Sequence, residues 1–116
     1  MSAEIVSIDG DAVGHEKITT AAAVGFTAAL IAPTTGAVAG KKAFAALITA
    51  DVADIRFTLD GTTPVIAATD GGVGHLLLKD QSYIVRGQTN VAAFQAINNV
   101  NASGALVRAT YFFRGL

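Results

Sequence analysis

Cysteine is absent from this chain, and with it go disulfide bridges, zinc–thiolate sites and thiol nucleophiles. Tryptophan is absent as well, and the two prolines, Pro33 and Pro64, stand far apart. Charge is scarce: 15% of the residues are Asp, Glu, Lys or Arg, where soluble domains ordinarily carry about 25%. Eight Lys and Arg against nine Asp and Glu leave a net charge of −1. That provides no field for gripping nucleic acid or an anionic membrane, so neither is expected as a partner. The apolar run Ala21 to Ala32 stops at Pro33, well short of the ~20 residues a membrane-spanning helix needs. Met1-Ser2-Ala3-Glu4 has no basic leading segment, and no secretory signal is expected.

Apolar residues are plentiful, at 52% of 116 residues. A chain of this length suits one domain with its own core and no metal or disulfide support. Too little charge remains to coat a monomer, which predicts a subunit covered by neighbours and a homo-oligomer. Alanine and glycine inflate the apolar count without making large patches, and sedimentation separates the two readings.

The clearest local pattern is Ile55-Arg56-Phe57-Thr58-Leu59-Asp60-Gly61-Thr62-Thr63-Pro64. Three apolar residues alternate with three polar ones, the period of a half-buried strand. Asp60-Gly61 then tolerates a sharp reversal, and Pro64 withholds a ladder donor. Other strand-like pieces are Ala43 to Ala50, Val73 to Leu78, Ser82 to Gly87 and Ala105 to Phe112. Asp51 to Asp54 joins the Leu47 and Phe57 strands, which are expected to pair as sequence neighbours, and Lys79-Asp80-Gln81 joins the Leu76 and Ile84 strands in the same manner. Lys17 to Thr20 is β-compatible; Ala21 to Val24 has the propensity of a helix, which Gly25 interrupts, and Phe26 to Ile31 resumes a mixed pattern, so a strand is expected there. Asn90 is a plausible N-cap for a helical turn in which Val91, Phe94 and Ile97 share one face.

No long 3.6-residue periodicity appears, so the fold class expected is all-β: a single antiparallel β-sandwich, jelly-roll-like, with one short helical turn near 90–97. Residues 1–14, with a first strand over Glu4 to Ile8, read as an N-terminal arm or edge strand, and 15–116 as the sandwich domain. In the last strand Tyr111, Phe112 and Phe113 must point both ways, so at least one ring leaves the core side.

Chemistry finds little purchase. Gly36-Ala37-Val38-Ala39-Gly40-Lys41-Lys42 has three residues between its glycines where a phosphate-binding loop needs four, and Lys42 stands in place of the Ser or Thr. His15 and His75 lie in no metal-binding spacing, Asp9 and Asp11 lack the rest of a calcium loop, and no serine has a nucleophile-elbow context. No cofactor, metal or catalytic residue is assigned, and the chain is not expected to be an enzyme. Sugar binding would fall to Tyr83 and Tyr111, the two amphipathic rings. Asn101-Ala102-Ser103 matches a glycosylation sequon and reads as a turn.

The order of these pieces resembles the small β-sandwich structural proteins of tailed bacteriophages and prophages. The shared pattern is a strand ending in an R-F-x-x-D-G-T-x-P turn (Arg56 to Pro64), a G-h-x-L strand (Gly74 to Leu77), an F-x-x-I segment (Phe94 to Ile97) and a final A-x-h-x-V-x-Y-F type strand. It covers about residues 41 to 113. Val65 departs from it, where Thr is usual, and Ala67 to Gly72 is an insertion. The resemblance implies a non-enzymatic virion protein, made in the bacterial host cytoplasm: a capsid decoration (cement or staple) protein partnered by the major capsid protein or other virion subunits. A tail or neck adaptor is the alternative, and a carbohydrate-binding module a further one. Expected interface residues are Ile5, Val6 and Ile8 of the arm, Thr34, Thr35, Lys41 and Lys42 of the Pro33 to Lys42 loop, and Phe112 and Phe113.

Overall fold

The computed structural model describes residues 10–114. The expected strand over Glu4 to Ile8 lies outside them. In chain order the elements are β1 (Asp11–Thr19), α1 (Ala28–Ile31), β2 (Ala45–Asp51), β3 (Ile55–Thr58), β4 (His75–Leu77), β5 (Ser82–Arg86), α2 (Gln88–Ala93), β6 (Gln95–Asn98) and β7 (Leu106–Phe113). The strands form two antiparallel sheets, a four-stranded one in the order β1-β7-β2-β5 and a three-stranded one in the order β4-β3-β6. The fold is an all-β sandwich.

Alternation explains the large sheet. On β2, Ala46, Ile48 and Ala50 are buried; on β7, so are Val107, Ala109, Tyr111 and Phe113. Register sets Ala46 against Tyr111 and Ile48 against Ala109, so each large side chain faces a small one and the two sheets can approach. Much of the alanine in this sequence is therefore interior. Between the sheets runs an aromatic chain: Tyr111 meets Phe26 edge-on at 5.1 Å, Phe26 stacks on Phe94 at 4.2 Å, and Phe94 leads through Phe57 to Tyr83.

Lys17 to Thr19 end β1, whereas Ala21 to Ile31 do not form the expected strand. Val24 makes one isolated bridge to Ala96, with hydrogen bonds of 3.0 and 2.9 Å in both directions, and the chain then leaves the sheet. A side chain at Gly25 would lie 2.8 Å from the Phe94 carbonyl oxygen. That close approach lets Phe26 turn inward onto Phe94, and α1 follows. Val24 nonetheless occupies the place of an eighth strand. Counted with it, the first, last, third and sixth extended pieces make one sheet and the second, seventh, fourth and fifth the other. This is the jelly-roll order.

That topology overturns the expectation that neighbours in sequence pair. β2 and β3 lie in different sheets, as do β4 and β5. The connections Asp51 to Asp54 and Leu78 to Gln81 cross from one sheet to the other instead of closing hairpins. Among the described strands only β3 and β4 are both consecutive and paired, joined by the long segment from Leu59 to Gly74. In that segment Thr62 N–H donates to Asp60 Oδ1 at 3.0 Å, and this bond holds the Asp60 carboxyl below the usual carboxylate range. Pro64 is fully buried. The Ala67 to Gly72 insertion folds back through a Val65–Val73 bridge. Gly72 there lies so close to Arg56 that an added Cβ would be 2.6 Å from Nε, while Arg56 donates to Asn99 Oδ1 and to the Gly74 carbonyl.

The helical turn near 90–97 is half right. Helix α2 covers Gln88–Ala93, and Gln95–Asn98 is strand β6, paired with β3. Asn90 is not the cap: its side-chain amide donates to the Arg86 carbonyl at 2.9 Å from inside the helix. Phe94 and Ile97 share no helical face because the backbone is already extended. Residues 11 to 14 are the first half of β1, which has a bulge between Ala12 and His15 where Gly14 takes φ +88°.

Candidate functional site

At one end of the large sheet the strand termini converge: Ala45 pairs with both Arg86 and Phe112, and Asp11 with Phe113. An open depression of about 350 Å³ lies there, lined by Gly40, Lys41, Lys42, Phe44, Gln88 and Arg114. The Arg114 guanidinium sits 4.1 Å above the Phe44 ring, and Lys41 Nζ donates to the Arg114 carbonyl at 3.3 Å. The described chain enters at Gly10, packed against the same Phe44 ring.

This end gathers part of the expected interface. Lys41 and Lys42 line the depression, and Thr34 and Thr35 are exposed on the loop before it. Phe112 lies on the outer face of the large sheet and is partly exposed, so one aromatic of the terminal strand does leave the core side. Phe113 does not offer a contact surface. It shares the inward parity of Tyr111 and is fully buried. Ile5, Val6 and Ile8 lie outside the described residues.

Tyr111, Glu16 and Thr20 have structural partners. Tyr111 donates its hydroxyl to Glu16, whose other contacts are Thr27 N–H at 3.0 Å and Thr27 Oγ1 at 2.6 Å. Burial and that carboxylate together push the Tyr111 phenol well above the ordinary tyrosine range. Buried Thr20 reaches Asn98 Oδ1 at 2.7 Å and the Ala105 carbonyl at 3.0 Å. His15 and His75 lie on different sheets. Among the described residues no group of three or more His, Cys, Asp or Glu is placed to hold a metal ion. Nor is any described helix long and apolar enough to cross a membrane.

Of the two rings available for a sugar face, Tyr111 is fully buried and only Tyr83 reaches the surface, 40% exposed beside Phe57. Reading residues alone misses a different group. Val52, Val73, Leu76, Leu78 and Val100 are large aliphatics left at least a third exposed. Their sequence signal is weak, because an aliphatic in a strand or turn is ordinarily assigned to the core, and only the sheet order shows which ones lack a cover. No family model matches the chain, and no curated protein or solved structure matches it.

Proposed function

We propose that this chain is a non-enzymatic structural subunit of a tailed-phage virion, a capsid decoration protein that binds between major capsid protein subunits and adds buried area to the shell. The observation that carries the reading is the number of exposed aliphatics on a thinly charged sandwich. A particle lattice covers such positions, whereas a freely diffusing monomer of this size does better without them. Support also comes from the motif order around Arg56 to Pro64 and from the shallow, open depressions, which suit contact with a protein surface better than enclosure of a small molecule.

Counting copies on intact particles tests the proposal. Hundreds of copies spread over the shell support decoration. A handful at one vertex makes the chain a neck or tail adaptor instead. Absence from purified particles, with a monomer in sedimentation, overturns the virion reading altogether.

A further inference from the structure

Two open depressions meet beside α2. The one holding Lys41, Lys42, Phe44 and Arg114 continues into a second of about 430 Å³, lined by Lys42, Gln88, Thr89, Ala92 and Ala93, with Lys42 and Gln88 common to both. Together they make a groove between the loop 40–42 and the helix, basic at one end and lined by alanines at the other. Among the described residues no Asp or Glu lines it. Lys41 is bonded to the Arg114 carbonyl, and neither Lys42 nor Arg114 has a carboxylate partner among the described residues.

The chain is routed towards this groove before β1 begins. β1 is an edge strand, separated from β2 by β7, yet Gly10, one residue ahead of it, has already reached the Phe44 ring beside β2. A Cβ at Gly10 would lie 2.6 Å from Phe44 Cε1 and 2.7 Å from the Phe113 carbonyl oxygen. With φ at +148° as well, only glycine passes here without strain. The segment leading into β1 therefore crosses the end of β7 on the side of β2 and α2 instead of leaving past the open edge.

We infer that residues 4–9 of this same chain lie in the groove as an extended strap, with Asp9 against Lys42 and Arg114 and the rest running past Gln88 onto Ala92 and Ala93. The segment, Glu4-Ile5-Val6-Ser7-Ile8-Asp9, carries two carboxylates, three aliphatics and no Lys or Arg, so its charge is the one the groove lacks. Six extended residues span about 20 Å, twice the about 9 Å length of a six-residue helix such as α2. Either face of such a strand offers the groove one carboxylate and an aliphatic: Glu4 with Val6 and Ile8, or Asp9 with Ile5. Attachment through Gly10 gives the strap an effective concentration in the mM range, which favours its own groove over that of a second copy. The inference rests on the groove and the course of the chain, and it stands apart from the virion reading.

Disulfide trapping in the full-length protein tests it without background, because the chain has no cysteine of its own. Val6→Cys and Ser7→Cys, which face opposite ways on an extended strand, are each combined with Ala92→Cys on α2 and, as a control, with Asn101→Cys in the turn before β7. On oxidation of the dilute protein, one of the two positions is expected to bridge to 92 within one molecule, at least about tenfold faster than to 101. Lys42→Glu should slow that bridge about threefold, the worth of one exposed ion pair, and Asp9→Lys in the same background should restore it. A bridge joining two molecules places the strap on a neighbouring copy and overturns the inference. So does equal bridging to 92 and 101, no bridge to 92 from either position, or a rate indifferent to the charge reversal.

Discussion

Tyr111 on β7 donates its phenolic hydrogen to Glu16 on β1, joining side chains 95 positions apart across the first and last strands. Glu16 in turn holds Thr27, so one carboxylate ties the edge strand, the last strand and the segment carrying Phe26. Tyr111→Phe keeps the ring against Phe26 and removes only this bond. The expected loss is about 1–2 kcal/mol of unfolding free energy in a urea titration.

The same pair sets an alkaline limit. The folded phenol titrates above its unfolded value of 10.0, so below that pH both states hold the proton and no stability is lost. Above it the unfolded chain ionises while the folded chain does not, and stability falls as pH rises. Melting temperature recorded upward from pH 9 should drop past pH 10 more steeply for the native chain than for Tyr111→Phe. Equal slopes would disprove the coupling.

Phe112 and Phe113 are adjacent letters with opposite fates. Phe113→Ala removes a fully buried ring and is expected to cost about 3–5 kcal/mol. Phe112→Ala, on the outer face, should cost under half of that. Paired denaturation curves decide, and equal costs would contradict the assigned parity.

Two small hydroxyls make a sharper contrast. Thr20→Val takes away the hydroxyl between buried Asn98 and the Ala105 carbonyl, and should destabilise by about 1–3 kcal/mol because the amide is left unpaired. Ser103 Oγ is buried with no hydrogen-bond partner among the described residues. Ser103→Ala should therefore be neutral or stabilising by up to about 1 kcal/mol. Thermal melts of both variants check the pair.

Arg56 lies on the outer face of the small sheet, bonded to Asn99 and Gly74 with Gly72 packed against it. Arg56→Ala should loosen the Val65–Val73 fold-back. Limited proteolysis is expected to cut between residues 67 and 72 several-fold faster, while the core of the large sheet stays protected. Unchanged cleavage would mean that the bridge holds the segment unaided.

Much of the fold was legible in local pattern. Alternation at Ile55 to Leu59 located β3, Asp60-Gly61 located its turn, and the apolar pieces around Leu47, Ile84 and Val107 are all strands. What failed did so for one reason: pairing is not local information. Lys79 to Gln81 reads as a hairpin turn, but its actual partners are Asp54 and Ala50, and it carries the chain between sheets. Phe94 and Ile97 fit a helical spacing until β3 claims the backbone donors and acceptors beside Ile97. Lys41 and Lys42 were legible as part of the Pro33 to Lys42 loop, whereas the exposure of Val52, Leu78 and Val100 was not, since nothing local says which aliphatics stay uncovered.

By itself the sequence determined the class of this protein: too few charges and no thiols, strands marked by a two-residue period, turns marked by Gly, Asp and Pro. These are properties of single segments, governed by backbone sterics and side-chain polarity. Only the tertiary structure decided which strands are neighbours, which of two adjacent phenylalanines is interior, and which aliphatics stay uncovered. Those outcomes depend on closing the sandwich, where contacts between residues far apart in the chain compete for the same buried space.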